Sequence, residues 1–452
     1  MSEFASLKTP AAAVSHNTYY ACYVLFLLWL AYILSFIDRQ ILSLLIGPIR
    51  EDFAISDTQF SLLHGLAFAI FYTLLGLPIG RLADRKNRRN IIIAGVALWS
   101  LMTCLCGFAK NFGSLFLARI GVGVGEAALS PPAHSLLSDY FKASKLPLVF
   151  AFYTTGIIVG SGVAYLIGGE IYQFFEQSTS LKHPMLESVK PWQATFIAVG
   201  APGILVALWM LTIKEPERTG TAVSENNTES LSIGEVVQYL LQRRQAYGGI
   251  IIGVSLLSIL GYATMAWYPE FLQRSYGMDR AEAGSRFGSL FIIAGLAGTA
   301  MLAFTTDYFA RRGVADISLK IVIFVAIAEF IPATIAPLMP NADLALTFAS
   351  VLIALQYGYF GIAISALQVI TPNQMRAQVS AVLLFSTNIL GLIVGPTIVA
   401  IMTDYLFVGD QYLNYSLALT AALVAPVAAI ILWRSLNQYQ ALLGIDKKKD
   451  SS

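Results

Sequence analysis

Asp38, Arg39, Arg119 and Glu126 carry charge inside two long apolar stretches, YVLFLLWLAYILSFIDRQILSLLIGPI and FGSLFLARIGVGVGEAALSPPA. A charge at the centre of a membrane span costs roughly 2.5–3.5 kcal/mol on insertion scales, so four of them in two segments need compensation or a use. Two acids and two bases offset one another where the segments touch, and an acid held in such a place can carry a proton. Burial disfavours the charged form of a carboxylate and a neighbouring guanidinium favours it. Moving Arg39 or Arg119 relative to Asp38 or Glu126 therefore switches proton affinity. Arg keeps its charge throughout, and pairs with a carboxylate in one arrangement and a substrate phosphate in another. The competing reading is an ion-pair cluster that only locks two helices. Desolvation makes a buried pair a weak stabiliser, so the reading carried forward is proton coupling at Asp38 and Glu126, with Arg39 and Arg119 as charge partners and headgroup contacts.

The elements that must position these residues are membrane spans. Hydrophobic residues make up 56% of the 452 and charged residues 12%, with a net charge of +2 and a mean hydropathy of +0.67; a soluble domain carries about 25% charge. Apolar runs near the roughly 20 residues needed to cross occur at 20–47, 58–80, 90–109, 112–138, 147–171, 192–213, 246–270, 284–306, 317–338, 343–368, 378–404 and 413–435. Basic residues gather at Arg81, Arg85, Lys86, Arg88 and Arg89, at Lys142 and Lys145, at Arg243 and Arg244, at Arg311 and Arg312, and in the tail Lys447–Lys449. By the positive-inside rule both termini are cytoplasmic. The first twenty residues are polar and lack a cleavable signal pattern, so the first span is expected to be an uncleaved start. The polar segment 214–245, containing KEPERTGTAVSENNTES, separates a six-span bundle at 20–213 from a second at 246–436, with cytoplasmic segments at 1–19 and 437–452. Span one then runs outward and span four inward. At about 1.5 Å per residue, Asp38 lies about 15 Å from the outer end, Arg119 about 10 Å and Glu126 about 20 Å. Asp38 and Arg39 thus fall between Arg119 and Glu126, which share one helix face. Gly121, Gly123 and Gly125 between them let span one press against span four, or leave room for a ligand.

The two halves echo each other. Gly80-Arg-Leu-Ala-Asp84-Arg-Lys-Asn-Arg88-Arg89 follows the second span and Asp307-Tyr-Phe-Ala-Arg311-Arg312 the eighth, with the same spacing from Asp to Arg-Arg. GRLADRKNRR resembles the signature of the major facilitator superfamily, whose halves are parallel repeats about an axis along the membrane normal. FIDRQ (Phe36–Gln40), ISDTQFSLLHG and ARIGVGVGEAALSPPAHSLLSDYF (Ala118–Phe141) resemble, more narrowly, the spinster-type lysolipid and sphingolipid transporters and their bacterial relatives. This resemblance is dense over the first 170 residues and architectural afterwards. It implies an all-α membrane protein of twelve transmembrane helices in two pseudo-symmetric six-helix bundles, working by alternating access, with the same proton and headgroup assignment for the four central charges. It also implies a cytoplasmic gate at Gly80, Asp84, Arg85, Arg88, Asp307 and Arg311, in which Asp84 bonds to nearby Arg residues or a helix N-terminus and holds the outward-facing state. Asn87 stands where the signature usually has glycine, a departure expected to loosen that turn.

Softer candidates surround this core. His64, early in span two, is a packing residue or a member of a proton path. Glu329 in IAEFIPATIAP reads as intramembrane, with a structural or interfacial role weighed equally against transport. Gly160-Ser161-Gly162, Gly168-Gly169, Gly391 and Gly395-Pro396 read as packing and bending sites. Spans seven and ten bring Tyr262, Trp267, Gln356, Tyr357, Tyr359 and Phe360 without a central charge, and Tyr153 and Asn388 complete the expected cavity lining. A charged first half facing an aromatic second half suits an amphipathic substrate. Cys22, Cys104 and Cys106 form neither a disulfide framework nor a metal spacing. The absence of HExxH, a Cys/His nucleophile set or a nucleotide loop argues against a membrane enzyme. The sequence therefore leads to a proton-coupled secondary transporter of lysophospholipid- or sphingolipid-type amphiphiles, monomeric and in a bacterial inner membrane. Protons and membrane lipids are its other partners; no cofactor, metal or nucleic acid is implied. Drug efflux or organic-anion transport, and passive lipid scrambling, are the alternatives.

Overall fold

The computed structural model describes residues 18–178, 189–216 and 233–445. Twelve helices in it are long and apolar enough to cross a membrane: α1 Thr18–Leu44, α2 Asp57–Gly76, α3 Arg88–Cys106, α4 Phe112–Tyr140, α5 Leu146–Gln177, α6 Pro191–Thr212, α7 Tyr247–Tyr276, α8 Arg280–Arg311, α9 Ile317–Leu338, α10 Ala342–Ile370, α11 Asn373–Phe407 and α12 Asp410–Leu442. Residues 1–17, the stretch from Glu217 to Leu231 with Ser232, and the basic tail Lys447–Lys449 lie outside the described residues. Several helices run past their apolar stretches, because capped polar turns extend them. Asp279 caps α8 and Asn341 caps α10, and Ser56 and Gln59 form a capping box at α2, each satisfying amide groups that a helix start leaves open.

One part of the expected polar loop is helical. Ile233–Gln242 forms a helix whose Val236, Tyr239 and Leu240 recur at the spacing of one helix face and pack on the core beneath α7. Asn87 also departs from expectation. Its backbone is extended, with φ −66°, and its side chain accepts from the Asn90 amide as the cap of α3. No left-handed turn is needed there, so the missing glycine leaves that turn capped instead of loosened.

Helices α1–α6 form one bundle and α7–α12 the other. The bundles meet along two seams, α5 against α8 and α2 against α11. The repeat that maps α2 onto α8 also maps α5 onto α11, so the seams are equivalents. Backbones approach closely in both. A Cβ at Gly65 would collide with the Leu392 carbonyl, and at Gly169 with the Arg280 carbonyl. Gly162 and Gly288 abut across the α5–α8 seam. The helix of α11 passes through two π segments, Asn388–Val394 and Met402–Phe407, around Gly395–Ile401. The bonds that join the bundles gather on the side opposite Thr18 and Leu442, here called the far side; the other is the terminal side.

Candidate functional site

The end of α1 and the middle of α4 bring the four central charges into one cluster, all nearly or fully buried. Arg39 Nη2 donates to Glu126 Oε2 at 2.5 Å. The Arg39 guanidinium also lies over three rings, 4.5 Å from Phe36, 4.3 Å from Phe68 and 5.1 Å from Tyr72, contacts that favour a cation without neutralising it. Arg119 Nη1 donates to the backbone carbonyl of Asp38 at 3.2 Å. Its Nε and Nη2 have no partner, nor do Asp38 Oδ1 and Glu126 Oε1. Thr103 and Trp99 of α3 flank the Asp38 carboxylate. His64 is buried against the cluster, its Nε2 3.1 Å from Ser43 Oγ and its Nδ1 without a partner. The cluster therefore balances in formal charge but holds one direct ion pair, Arg39–Glu126. Arg119 meets Asp38 through the backbone and keeps donors in reserve. Such an arrangement can accept an anionic group at Arg119, or a proton at either acid, without dismantling a second salt bridge.

The glycines of α4 serve neighbours other than α1. Gly121 packs on Met102, Gly123 on the Phe68 carbonyl and Gly125 on the Trp99 backbone. At these glycines it is α2 and α3 that press against α4, while α1 reaches this part of it through the long Arg39 and Arg119 side chains. Tyr262 of α7 packs on Gly391 and is close enough to Arg39 to act on its charge, so it links the second bundle to the cluster. Tyr153 is buried, stacked on Tyr32 with centroids 4.6 Å apart, its hydroxyl without a partner. Tyr357 meets Phe291 edge-on at 4.8 Å. Gln356 is buried with both amide atoms unpartnered. Asn388 is half-buried at the start of the first π segment. Phe360 and Tyr359 pack into the second bundle's core, and Trp267 is tied to it by a 2.9 Å bond from Nε1 to the Pro396 carbonyl.

The expected gate residues are not drawn together across the bundles in this conformation. Asp84 and Arg85 are exposed and, among the described residues, make no ion pair. Asp307 pairs locally with Arg311 at 2.8 Å. Gly80 faces Pro131. Arg88 instead braces the first bundle, meeting Asp139 at 2.5 Å, Glu215 at 2.7 Å and the Ser135 hydroxyl at 3.0 Å.

The far side carries a network that the sequence reading did not single out. Arg274 bonds both Asp57 oxygens, at 2.7 and 2.9 Å, and Glu270 at 2.7 Å. Arg50, on the short helix Ile46–Phe53, bonds both Asp410 oxygens at 2.8 and 3.1 Å and lies 3.0 Å from Asp57. Thr58 donates its amide to Asp404 at 2.7 Å. These bonds clasp the bundles around a pocket of about 400 Å³ that Arg280 also lines. Oppositely charged residues at the ends of spans one, two, seven and twelve were the available signal.

Comparison with known proteins agrees with this architecture. The family model described as Major Facilitator Superfamily matches residues 28–396. An MFS-type efflux pump of Mycolicibacterium smegmatis is 26% identical over 412 residues, 90% of each chain. Protein spinster of Drosophila melanogaster is 26% identical over 287 residues, 62% of this chain and 45% of that one. Among solved structures, a bacterial homologue of the human lysosomal transporter spinster, in an inward-facing and occupied conformation, superposes with TM-score 0.76. It is 28% identical over 96% of this chain and 99% of that one. With its twelve spans, paired bundles and family match over most of its length, this chain belongs to the major facilitator superfamily.

Proposed function

We propose that this transporter is proton-coupled and moves lysophospholipid- or sphingolipid-type amphiphiles by alternating access, as a monomer in a bacterial inner membrane with both termini cytoplasmic. The observation that carries this reading is the buried cluster in which Asp38 and Arg119 keep unused polar atoms beside the Arg39–Glu126 pair. Asp38 and Glu126 take the proton. Arg119 takes the anionic headgroup, and the aromatic face led by Tyr262 receives the apolar part. The far-side clasp corresponds to an inward-facing conformation. The similarity to spinster proteins supports the lipid class. Drug efflux is the second reading, favoured by the efflux pump that matches 90% of the chain.

The test is a thermal-shift screen of lysophospholipids, sphingoid bases, their phosphates and lipophilic cations on purified protein. Phosphate-bearing amphiphiles should stabilise it. Stabilisation by lipophilic cations alone would replace lipid transport with drug efflux. In the same assay Arg119→Ala should weaken binding of the anionic amphiphile roughly 10- to 100-fold. That is the equivalent of about 1.5–3 kcal/mol for a hydrogen bond to a charged group. An unchanged affinity would remove Arg119 from the headgroup site.

In the alternate state, Asp84 latches the cytoplasmic ends. Its exposure here is consistent with a latch that has let go. Asp84→Asn should therefore shift the population toward the inward-facing state by about fivefold, since a partly exposed pair contributes about 1 kcal/mol. Spin-label distances between the terminal-side ends of α2 and α11 read the shift; none, or one in the opposite direction, would discard the latch.

A further inference from the structure

Glu329 stands apart from the central cluster, in the other bundle. By helical rise it lies about 18 Å from Ile317 and about 14 Å from Leu338, near the middle of α9. Its side chain is fully buried, and neither carboxylate oxygen has a hydrogen-bond partner. The helix is interrupted at this point. Ile317–Ala328 ends, Phe330–Ile335 begins, and Glu329 is the junction. Pro332 has no N–H, so the Ala328 carbonyl loses its helical donor.

Among the described residues no basic side chain pairs with Glu329. Helix α10 contributes Tyr359, close enough to feel a charge on Glu329. Helix α7 contributes Tyr268 and α12 contributes Thr420 to the cavity one turn beyond it, and neither is basic. The charges of α8 lie at its two ends, Arg280, Glu282 and Arg286 on the far side and Asp307 and Arg311 on the terminal side. An unpaired ion in such a site costs several kcal/mol, so the surroundings favour the neutral carboxyl. Ala333 lies one turn further on the same face, its amide bonded to the Glu329 carbonyl. It lines a cavity of about 20 Å³ bounded also by Thr264, Tyr268, Pro337 and Thr420, enough for a single water with hydroxyl partners. A largely apolar cavity with three hydroxyl-bearing residues in its wall thus lies one turn from Glu329, between the acid and the far side.

We propose that Glu329 is a second proton-binding site, contained in the α7–α12 bundle, which gives up its proton to water in the α7–α9–α10–α12 cavity and recovers it there. The inference is independent of the roles assigned to Asp38 and Glu126, because it concerns a different bundle and is read at the carboxyl itself. Infrared difference spectra of the full chain in lipid nanodiscs, titrated from acid to alkaline pH, provide the test. A carboxylic C=O band is expected to vanish as pH rises. It should be missing in Glu329→Gln, present but displaced in Glu329→Asp, and retained in the Asp38→Asn/Glu126→Gln double variant. Proton uptake per protein over the same titration should fall by one in Glu329→Gln. A Glu329 band that persists throughout the range in which the protein stays folded would make it a permanently neutral structural acid and overturn the proposal. So would the absence of any Glu329-dependent band.

Discussion

Asp38→Asn and Glu126→Gln are each expected to reduce proton-driven accumulation in proteoliposomes to the level of protein-free vesicles, with substrate binding still measurable. Both substitutions keep size and most hydrogen-bonding capacity while removing the group proposed to gain and lose a proton. The two acids lie in a compartment from which water is largely excluded, one held by Arg39 and the other beside Arg119 without a side-chain bond to it. Their charged forms depend on how near those guanidinium groups stand, so a shift of α1 against α4 within the first bundle would change the affinity for protons. An amide cannot follow that change, and the cycle then runs without drawing on the gradient. If both variants kept the wild-type pH dependence of transport, coupling would have to be sought outside the cluster, and the four charges would revert to a structural lock.

The second large effect concerns stability. Arg39→Ala is expected to destabilise the purified protein by about 3–5 kcal/mol, the usual result of stripping one partner from a buried ion pair. The loss has two sources: Glu126 is left without its 2.5 Å donor, and three aromatic rings lose the cation packed on them. Adding Glu126→Gln to Arg39→Ala should recover much of the deficit, because no orphaned charge remains. Unfolding curves of the wild type, both single variants and the double variant form the cycle that separates these terms. A single variant as stable as the wild type, or a double variant no better than Arg39→Ala, would show that the pair does not balance charge in the way argued.

The central cluster was legible because its signal is local. Asp38, Arg39, Arg119 and Glu126 interrupt stretches in which a charge is costly, and helical rise alone puts the first two at a depth between the last two. Which atoms pair was not legible. That Arg119 would address the Asp38 backbone, leaving the carboxylate to Thr103 and Trp99, depends on rotamers that spacing does not encode. The far-side network was invisible for another reason. Arg50, Asp57, Arg274 and Asp410 lie at span ends, where charges are ordinary, and their pairings join residues 217 and 360 positions apart. The Ile233–Gln242 helix was hidden in a segment whose average composition is polar, although three of its residues recur on one face. Glu329 was visible as a residue out of place, but its lack of partners became apparent only from the packing of α9 against α10 and α12.

The inter-bundle seams have one further consequence. Where Gly65 meets the Leu392 carbonyl, where Gly162 meets Gly288 and where Gly169 meets Arg280, the surfaces in contact are largely backbone. Glycine has no rotamers to surrender, whereas immobilising a long side chain costs up to roughly 2 kcal/mol of conformational entropy. Contact along these seams therefore orders very little that was not already ordered by the helices. The entropic difference between touching and parted bundles is thus small at these points, and the balance between the two arrangements falls to the far-side ion pairs and to binding and protonation.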